Sequence, residues 1–588
     1  MKRYAADFET RAGDAAIQER KTWVWAWSIC DIEDVDNVTT GNTIADFFNY
    51  IKTLGNCDIY FRNLSGFDGY FIIDYLLRNG YEECDRPKHK FDFSVLMTDS
   101  NVIYSVKCCP KFKTVISFYD SAHLVPGSIK ALGESFKTKY RKLTLDYVLD
   151  RPENYTMTPE ETEYVKNDVR VDGEVLFKFF EQVDLGKITI ASSAMAYYKA
   201  LFSSHDTFRK IFPLLDKDVD AFCRHAYRGG ISWCKKKQVH LKGVHGYTYD
   251  KNSMYPSMMH SSSGDLFPEG KPEHFTGKYE EDDKYPLYIA HIEAVFTVKK
   301  NHMPFLQLKN NFNFGQSEFV EDSGEDPVEL WLCDVDMRLF FQQYDVEYIR
   351  YIDGYKFMGA TGLFDEYINT WYEIKRTAPK GARRQVAKLF LNSFYGKFAM
   401  RVTGAKKRVY LDEDGVIARE LLPEEDMKPV YVPVAVYTTA YARTDLINAI
   451  QMNWKNFWYC DTDSIHLTAP AVGLTIHHSD LGAWDCESEW VEAVFSHQKT
   501  YIEIGSYDAF NYDWDDEDQR GKIDSMMTFR CAGMSDRAKG MFFKAIQRGE
   551  MTLEDFKPGL KLIGGNLKRT IVQGGIVLIP QDYEMKER

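Results

Sequence analysis

The chain has 588 residues, of which 44% are hydrophobic and 15% aromatic, and its mean hydropathy is -0.40. At about 150 residues per domain this length predicts roughly four structural units, and the composition excludes disordered, collagen-like and fibrous proteins. No apolar run reaches the roughly 18 residues of a membrane span, and Asp7 and Glu9 interrupt the N-terminus before a signal-peptide core. We therefore expect neither membrane insertion nor secretion. The eleven cysteines form no C-x-x-C pair, which favours reduced thiols in a cytosol.

Charge is unevenly distributed along the chain. The net charge is -14 and the pI about 5.6, which argues against a wholly basic nucleic-acid coat protein but not against a local basic groove. Residues 371–408 contain eleven basic residues and one acid, Glu373. Such segregation is typical of a surface that faces a polyanion, and a solvated helix face is the alternative.

The first 185 residues predict an α/β unit. Strand-like runs at 4–8, 59–61 and 115–119 alternate with helical stretches. The capping box Thr158-Pro159-Glu160-Glu161, with proline at the first helical position, predicts a helix with Tyr164 and Asp168 one turn apart on one face. A second unit is expected to begin near Ile190.

Three acidic motifs lie in this first unit. Asp7 and Glu9 are two residues apart on a predicted strand and so share one face, where two carboxylates suit a hard cation. Acid-x-acid pairs are common by chance in a chain this acidic. This pair therefore indicates a metal site only in combination with the motifs further along the chain. An N-x-x-x-F-D motif ends at Asp68, and a Y-x-x-x-D motif spans Tyr164 to Asp168. This order resembles the three motifs of proofreading 3′–5′ exonucleases of the DEDD type.

The exonuclease resemblance implies roles for individual residues. Asp7, Glu9, Asp68 and Asp168 would hold two divalent ions, and Tyr164 would orient the attacking water; magnesium suits these oxygen ligands better than zinc. Arg62 stands where relatives have histidine, and the loop 63–68 contains one extra residue, which shifts Phe67. The resemblance further implies contacts to the primer end and, for Lys142, to the scissile phosphate: Thr10, Tyr60, Asn63, Phe67, Ser121 and Tyr147 are the primer-end residues.

A second carboxylate site is predicted in the rest of the chain. A β-rich run ends at Asp250 and is followed by Ser253-Met254-Tyr255-Pro256. Far downstream, Tyr459-Cys460-Asp461-Thr462-Asp463-Ser464 places two acids at the tip between two strand-like runs. An acid at a strand end and acids at a hairpin tip together suggest a two-metal site, whereas a simple turn would be the alternative for the tip alone.

A predicted basic helix lies between these acids. Arg384, Lys388 and Asn392 recur every four residues and so form one polar stripe. Cations on one helix face beside a metal site suit a nucleoside triphosphate, because they neutralise the leaving pyrophosphate. The motifs DxxSxYP, Kx3NSxYG and YxDTDS resemble those of family B DNA polymerases. They are joined by YxGG at 227–230, T-x-x-A-R at 439–443 and KTY at 499–501. The YxGG motif, the T-x-x-A-R motif and the short length of the chain resemble the protein-primed subgroup, of the phage phi29 type.

That resemblance implies further site residues. Asp250 and Asp463 would be catalytic metal ligands with Asp461 beside them, and Tyr255 would exclude a ribose 2′-hydroxyl. Arg384 replaces a lysine of the family, which keeps the charge but changes the donor geometry. The implied nucleotide-binding residues are Tyr255, Lys375, Arg384, Lys388, Asn392 and Tyr395. The implied DNA-binding residues of the polymerase part are Tyr227, Gly229, Gly230, Thr439, Arg443, Lys499 and Tyr501, and the YxGG residues among them would mediate transfer between the two active sites.

The fold class implied by the resemblance is α/β and α+β multidomain. A ribonuclease-H-like 3′–5′ exonuclease domain would precede a right-hand polymerase domain of palm, fingers and thumb with two insertions. The expected boundaries are 1–189 for the exonuclease domain, 190–261 and 432–532 for the two parts of the palm, 262–362 for insertion 1 (the terminal-protein region), 363–399 for the fingers, 400–431 for the insertion 2 hairpin, and 533–588 for the thumb.

The predicted function is a DNA-directed DNA polymerase with proofreading exonuclease that is protein-primed, processive and strand-displacing and replicates a linear phage genome. Implied cofactors are two Mg²⁺ per active site, with Mn²⁺ as a substitute, and the substrates are deoxynucleoside triphosphates. Implied partners are template and primer DNA, a terminal protein, and phage single- and double-stranded DNA-binding proteins. The chain is expected to be a monomer in the host cytoplasm. An RNA-templated or nucleic-acid-primed polymerase and an inactive polymerase-like DNA-binding scaffold are the alternatives.

A hairpin is predicted between the basic helix and a strand-like run at 430–438. Asp414-Gly415 separates two β-prone runs, and Lys406-Lys407-Arg408 lies at the base. An ordinary surface hairpin is the alternative. Its position matches the second insertion of protein-primed polymerases, which helps to encircle DNA.

Overall fold

A computed structural model describes residues 1–145, 149–308 and 318–587, with the backbone alone for residues 517 and 518. The first 182 residues form an α/β unit, called here the N-terminal unit. Its helices are α1 (Asp14–Glu19), α2 (Ile44–Ile51), α3 (Asp68–Arg78), α4 (Ile129–Ser135) and α5 (Pro159–Gln182). Its strands are β1 (Lys2–Thr10), β2 (Val24–Asp31), β3 (Asp34–Gly41), β4 (Cys57–Phe61), β5 (Glu82–Glu83), β6 (Asp92–Met97), β7 (Ile103–Lys111) and β8 (Thr114–Asp120).

The eight strands form one sheet in the order β3-β2-β1-β4-β8-β7-β6-β5. β1 is antiparallel to β2 and parallel to β4. All five residues of β4 are buried, as expected for a central strand whose sheet is covered on both faces. The predicted strands at 4–8, 59–61 and 115–119 are confirmed. The predicted capping box is also confirmed, because Thr158 and Glu161 each bond the other's backbone N–H at the start of α5.

The second unit begins with three helices and the first strands of a central sheet. These elements are α6 (Ile190–Ala200), α7 (His205–Ile211), α8 (Lys217–Ala226), β9 (Ser232–Cys234), β10 (Val239–Lys251) and α9 (Met254–Met259). A separate four-stranded sheet follows, in the order β11-β14-β12-β13, and carries one helix. Its elements are β11 (Phe267–Thr276), β12 (Leu287–Val298), β13 (Val328–Cys333), α10 (Asp334–Gln343) and β14 (Tyr344–Ala360).

Two antiparallel helices and a pair of small hairpin ladders come next. They are α11 (Asp365–Thr377), α12 (Ala382–Phe394), β15 (Thr403–Gly404), β16 (Lys407–Leu411), β17 (Ile417–Leu421) and β18 (Glu425–Asp426). The predicted basic helix is α12, and the predicted hairpin is confirmed as β16–β17, called here the insertion hairpin. Its turn closes by a bond from Gly415 N to Asp412 O, and Gly415 has a φ of 70°, a value that favours glycine.

The strand predicted at 430–438 is wrong, since this run lies in the long helix α13 (Val432–Met452). Pro433 occupies the first turn, where its missing N–H costs nothing. Residues 432–443 of α13 are buried without interruption, so the run has no polar face from which a helical period could be read. Tertiary burial outweighs the β-propensity of its valines and threonines.

The central sheet has the order β23-β22-β21-β10-β20-β19-β9. Its remaining elements are β19 (Phe457–Asp461), β20 (Ser464–Leu467), β21 (Trp484–His497), β22 (Thr500–Ile504), α14 (Glu517–Met526) and β23 (Met527–Cys531). The chain ends with α15 (Asp536–Gln547) and a long hairpin of β24 (Lys561–Val572) and β25 (Gly575–Glu584), called here the C-terminal hairpin. No helix within the described ranges is long and apolar enough to cross a bilayer.

Candidate active sites

The first site lies on the N-terminal sheet. Asp7 and Glu9 alternate with Phe8 along β1 and so project from the same side, and Asp168 reaches them from α5. Oxygen atoms of these three carboxylates lie within 4.8 Å of one another. Asp68 is buried at the start of α3, outside that group of three but near enough for the charges of Asp7 and Glu9 to act on it. The structure thus brings together the four acids that the sequence singled out.

These acids suit a divalent cation. All donors are oxygens, and Oδ1 of Asp68 and Oδ1 of Asp168 are buried without a hydrogen-bond partner in the part of the chain that the structure describes. Desolvation and the charge of Asp168 raise the pKa of Asp7 to about 8. Desolvation and the charge of Asp7 raise the pKa values of Glu9 and Asp68 as well. Clustered carboxylates resist joint ionisation unless a cation compensates them, and oxygen-only donors fit magnesium.

Lys142 and Tyr164 border this acid cluster. Lys142 Nζ lies 3.2 Å from Asp168 Oδ2, and its charge lowers the pKa of Asp7 against the larger effect of desolvation. Tyr164 is buried one turn before Asp168 on α5, and its hydroxyl donates to that carboxylate. Both residues stand where the sequence predicted.

The predicted primer-end contacts fall into different environments. Thr10 and Phe67 are half-buried and Asn63 is exposed. Tyr60 and Ser121 are buried inside the unit, and Ser121 Oγ donates to the Phe61 carbonyl at 3.3 Å. The structure therefore does not support direct primer contacts by Tyr60 or Ser121. Tyr147 lies outside the described residues.

Arg62 has a structural role that the sequence could not assign. Its guanidinium bonds Asp172 at 2.7 Å and the Val125 carbonyl at 2.7 Å. Asp172 lies one turn beyond Asp168 on α5, and its charge adds to the raised pKa of Asp7. Arg62 therefore neutralises an acid beside the cluster and fixes the loop after β8. The half-buried Phe67 packs against Phe71, with ring centroids 5.5 Å apart.

The second site lies at one end of the central sheet. Asp250 is in β10 opposite Ser464 of β20, and Asp463 is in the tight turn between β19 and β20. Lys251 N donates to the Asp463 carbonyl at 2.8 Å, and Thr462 has a φ of 60°. These backbone contacts hold the two predicted metal-binding acids on one wall of a cavity of about 1100 Å³.

Three further acids that the sequence reasoning missed line the cavity: Glu134, Asp485 and Glu487. Desolvation, Asp463 and Glu487 raise the pKa of Asp250 to about 7. Desolvation together with Asp461 and Glu487 raises the pKa of Asp463 to about 6. Asp461 itself does not line the cavity, and its Oδ1 lies 3.5 Å from Lys499 Nζ.

Cationic side chains line the same cavity. Lys375, Arg384 and Lys388 all line the cavity, as do two cations that the sequence did not single out, Lys137 and Lys380. Desolvation and the charges of Lys388 and Arg384 lower the pKa of Lys375, and Lys375 Nζ donates to Ser253 Oγ at 2.7 Å. The α11–α12 pair thus contributes several cations to the cavity that holds the acids, a suitable combination for a polyphosphate.

Two aromatic residues stand at one end of this cavity. The ring centroids of Tyr255 and Tyr395 are 4.0 Å apart. Asn392, near the end of α12 and three residues before Tyr395, also lines the cavity. A methyl group at Gly230 would approach the Tyr255 hydroxyl to 2.9 Å and Thr462 Cγ2 to 2.8 Å. Gly230 therefore allows its segment to pack directly against the second site.

Other predicted DNA contacts are buried. Arg443 is 1% exposed, donates to the carbonyls of Arg228 and Gly229, and forms an ion pair with Asp336 at 2.7 Å. Thr439 is fully buried and donates to α13 carbonyls. The structure does not support direct DNA contact by either side chain; Arg443 instead holds the 227–230 segment in place.

The remaining predicted DNA-binding side chains are Tyr227, Lys499 and Tyr501. Tyr227 is half-buried. Lys499 is largely exposed, and Tyr501 of β22 is mostly buried against Tyr459, with ring centroids 4.9 Å apart.

Comparisons with known proteins agree with this two-site arrangement. The family model for DNA polymerase type B, organellar and viral, matches residues 53–153 and 149–479. The DNA polymerase of Bacillus phage phi29 is 35% identical over 100% of this chain and 99% of its own. The chain belongs to the type B DNA polymerases. Another relative, the DNA polymerase of Streptococcus phage Cp-1, is 31% identical over 99% of this chain and 98% of its own.

The fold of this polymerase also matches a solved structure. The phi29 DNA polymerase, complexed with primer-template DNA and incoming nucleotide substrates, superposes with a TM-score of 0.87 at 34% identity over 100% of both chains. The predicted multidomain fold class and the prediction of a family B DNA polymerase are therefore confirmed. The domain boundaries and the roles of individual residues stay predictions.

Proposed function

We propose that this polymerase adds deoxynucleotides to a DNA-templated primer end at the cavity between the central sheet and α11–α12. The observation that carries this is the meeting of Asp250 and Asp463 with Lys375, Arg384 and Lys388 across one cavity of about 1100 Å³. The volume of this cavity, and its combination of acidic and basic side chains, suit a deoxynucleoside triphosphate and a primer end. A protein that only binds DNA as a scaffold would not require acids and cations together in one cavity.

Asp250 and Asp463 would hold the magnesium ions of this site, and Glu487 lines the same cavity. Mn²⁺ would substitute for Mg²⁺. Bound there, the ions supply charge that activates a primer 3′-hydroxyl and neutralises phosphate. Lys375, Arg384 and Lys388 would bind the triphosphate and stabilise the charge that develops on the departing pyrophosphate. Lys499 and Tyr501 would contact the primer strand.

Tyr255, with Tyr395 and Asn392, would form the floor beneath the nascent pair. The Tyr255 ring packs against Tyr395, and its hydroxyl lies close to Gly230. A ring fixed by these two contacts would exclude bulk at the sugar 2′-position. This arrangement supports selection for deoxyribose over ribose.

The acid cluster of the N-terminal unit would remove nucleotides from a single-stranded 3′ end. Asp7, Glu9, Asp68 and Asp168 would hold two magnesium ions, Tyr164 would orient a water molecule, and Lys142 would bind the scissile phosphate. Thr10, Asn63 and Phe67 would contact the last nucleotides. The segment of Tyr227, Gly229 and Gly230 would help the primer pass between the two sites.

We assign the domains as the sequence predicted: exonuclease 1–189, palm 190–261 and 432–532, insertion 1 at 262–362, fingers 363–399, insertion 2 at 400–431 and thumb 533–588. One sheet lies within 1–189 and another within 262–362, while the central sheet combines β9 and β10 from 190–261 with strands from 432–532, and this supports the division. The insertion hairpin and the C-terminal hairpin would embrace the DNA and give processivity and strand displacement. Deleting 404–427 should spare short gap filling but shorten products on primed circles.

We further infer that a terminal protein primes synthesis in the host cytoplasm, with phage single- and double-stranded DNA-binding proteins as additional partners of the monomeric enzyme. Full-length similarity to the polymerases of phages phi29 and Cp-1 supports this. The test incubates the protein with Mg²⁺, labelled dATP and a candidate terminal protein, followed by denaturing electrophoresis. Label that stays on the terminal protein supports the proposal. Extension of a DNA primer with no such label would favour nucleic-acid priming, and an RNA template tried alongside tests the RNA-templated alternative.

A further inference from the structure

Three segments that are distant in sequence meet on the outer side of α3: the tip of the insertion hairpin, the tip of the C-terminal hairpin, and α3 itself. We propose that Asp74 is a positioning residue that latches both hairpin tips to the N-terminal unit, and that this latch sets the length of DNA made per binding event. The proposal rests on the proposed function, in which these hairpins embrace DNA.

One carboxylate makes contacts to both tips. Asp74 is 4% exposed, and its Oδ1 accepts a hydrogen bond from Gly574 N at the C-terminal tip at 3.3 Å. Arg78 donates to the same carboxylate at 2.7 and 3.1 Å. Arg78 Nη2 also donates to the Gly415 carbonyl at the insertion tip. Asp74 therefore binds one tip directly and fixes the arginine that binds the other.

The two tips also contact each other and the edge of the N-terminal unit. Gln573 Nε2 donates to the Asp414 carbonyl at 2.8 Å, which joins the hairpins. The backbone of Gln573 accepts from Thr22 N at 3.0 Å and donates to the Arg20 carbonyl at 3.2 Å. The junction thus connects α3, both hairpin tips and the loop 20–22, and Asp74 is its buried acid.

The tip of the C-terminal hairpin lies so close to the N-terminal unit that positions 574 and 575 have no room for a side chain. A methyl group at Gly574, where φ is 86°, would lie 2.1 Å from the Thr22 carbonyl oxygen. A methyl group at Gly575 would lie 2.5 Å from the ring of Phe71 on α3. Two adjacent glycines at such contacts indicate a fitted joint rather than a loose approach.

Apolar packing supports the same joint. Val409 and Ile417 of the insertion hairpin and Ile576 of the C-terminal hairpin are buried in the hydrophobic core of the N-terminal unit. The base of the C-terminal hairpin packs against the central sheet, where Leu562 and Tyr583 share a core with Ile502, and the insertion hairpin is joined through the chain to α12. Because bases and tips are both fixed, the hairpins close a circuit, and DNA held inside it could leave only after the joint opens.

Loss of the carboxylate would weaken this joint at both branches. Gly574 N–H would lose its buried acceptor, and the Arg78 guanidinium, whose side chain is 38% exposed, would no longer be fixed beside the Gly415 carbonyl. Because Asp74 lies outside both acid clusters, its removal should change dissociation from DNA rather than chemistry. The effect should therefore appear only over many additions.

The experiment measures product length of Asp74→Ala on primed single-stranded circles in the presence of excess unlabelled trap DNA. We expect products about tenfold shorter than those of the unchanged protein, as for a contact of about 1.4 kcal/mol. Filling of a short gap and degradation of a single strand should stay within about twofold. Asp184→Ala is the control, because it removes an aspartate–arginine pair, Arg3–Asp184 at 2.9 Å, that joins β1 to the segment after α5 and involves neither hairpin.

A covalent rescue separates latching from folding. Asp414→Cys with Gln573→Cys, joined by a short bismaleimide after DNA binding, should restore product length to Asp74→Ala. Cys84 and Cys486, the cysteines that are not buried, are first replaced by serine. In a chain lacking 404–427, Asp74→Ala should cause no further shortening.

Normal product length in Asp74→Ala would overturn the latch, as would shortening that the cross-link fails to restore. Failure of the unchanged protein to fill even a short gap would instead contradict the proposed function. The two failures are therefore distinguishable.

Discussion

Gly230 lies directly against Tyr255: a methyl group at Gly230 would come within 2.9 Å of the Tyr255 hydroxyl oxygen. The same methyl would press on Thr462, which separates Asp461 from Asp463 in the hairpin turn. The segment that Arg443 holds in place thus contacts both Tyr255, which we propose selects the sugar, and the turn that carries Asp463.

We predict that Gly230→Ala lowers kcat/KM for nucleotide addition by roughly tenfold, because overpacking here costs about 1–3 kcal/mol and displaces Tyr255 or the turn. Gly396→Ala is the control, since a methyl group there meets nothing within 4 Å although it adjoins Tyr395. Steady-state kinetics on a short primer-template measure both. Equal kinetics for Gly230→Ala and the unchanged protein would show that this contact has no catalytic consequence.

Several features of the sites could be predicted from the sequence, because each motif is local. Asp7 and Glu9 share a strand face, Asp168 lies on a capped helix, and Asp463 lies in a hairpin turn. Each geometry follows from a few neighbouring residues.

Glu487 could not be predicted in the same way. It lies on β21 where the register with β10 shifts between Thr248 and Tyr249, and such a bulge re-aims side chains in a manner that no local pattern reveals. The burial of Arg443 and Thr439 could not be predicted from the sequence either, because it depends on how α13 packs against the rest of the protein. The joint at Asp74 depends on three distant segments and has no sequence signature.

Tyr255→Val should increase ribonucleotide incorporation relative to deoxyribonucleotide incorporation by at least about tenfold. Removing the ring frees the space that a 2′-hydroxyl needs, and a steric exclusion of this kind is worth roughly 1–3 kcal/mol. Single-nucleotide addition with paired dNTP and rNTP titrations gives the ratio. A variant that still extends DNA but rejects ribonucleotides as before would contradict the steric role.

Metal-free stability should fall as pH rises. Desolvation and neighbouring acids raise the pKa of Asp7 to about 8, of Asp250 to about 7 and of Asp463 to about 6, against an ordinary value of 3.8. The folded state then binds more protons than the unfolded state between about pH 4 and 8, so the free energy of unfolding decreases across that range. In EDTA the Tm should drop by a few °C from pH 6 to pH 8 on this account.

Added magnesium should reverse this trend, because it binds the ionised carboxylates. The Mg²⁺-induced rise in Tm is therefore expected to be larger at pH 8 than at pH 6. A variant with Asp7→Ala, Glu9→Ala, Asp250→Asn and Asp463→Asn should lose most of the magnesium effect. A Mg²⁺ response that is equal at both pH values would contradict the assignment of these acids as ligands.

The central claim is that one chain carries two independent metal-dependent sites, and one gel assay tests it most directly. A 5′-labelled primer-template is incubated with Mg²⁺, with and without dNTPs. Asp250→Asn or Asp463→Asn should lose extension by at least about a thousandfold while still shortening the primer. Asp7→Ala with Glu9→Ala should extend the primer and no longer shorten it. Loss of both activities in either folded variant would contradict the account.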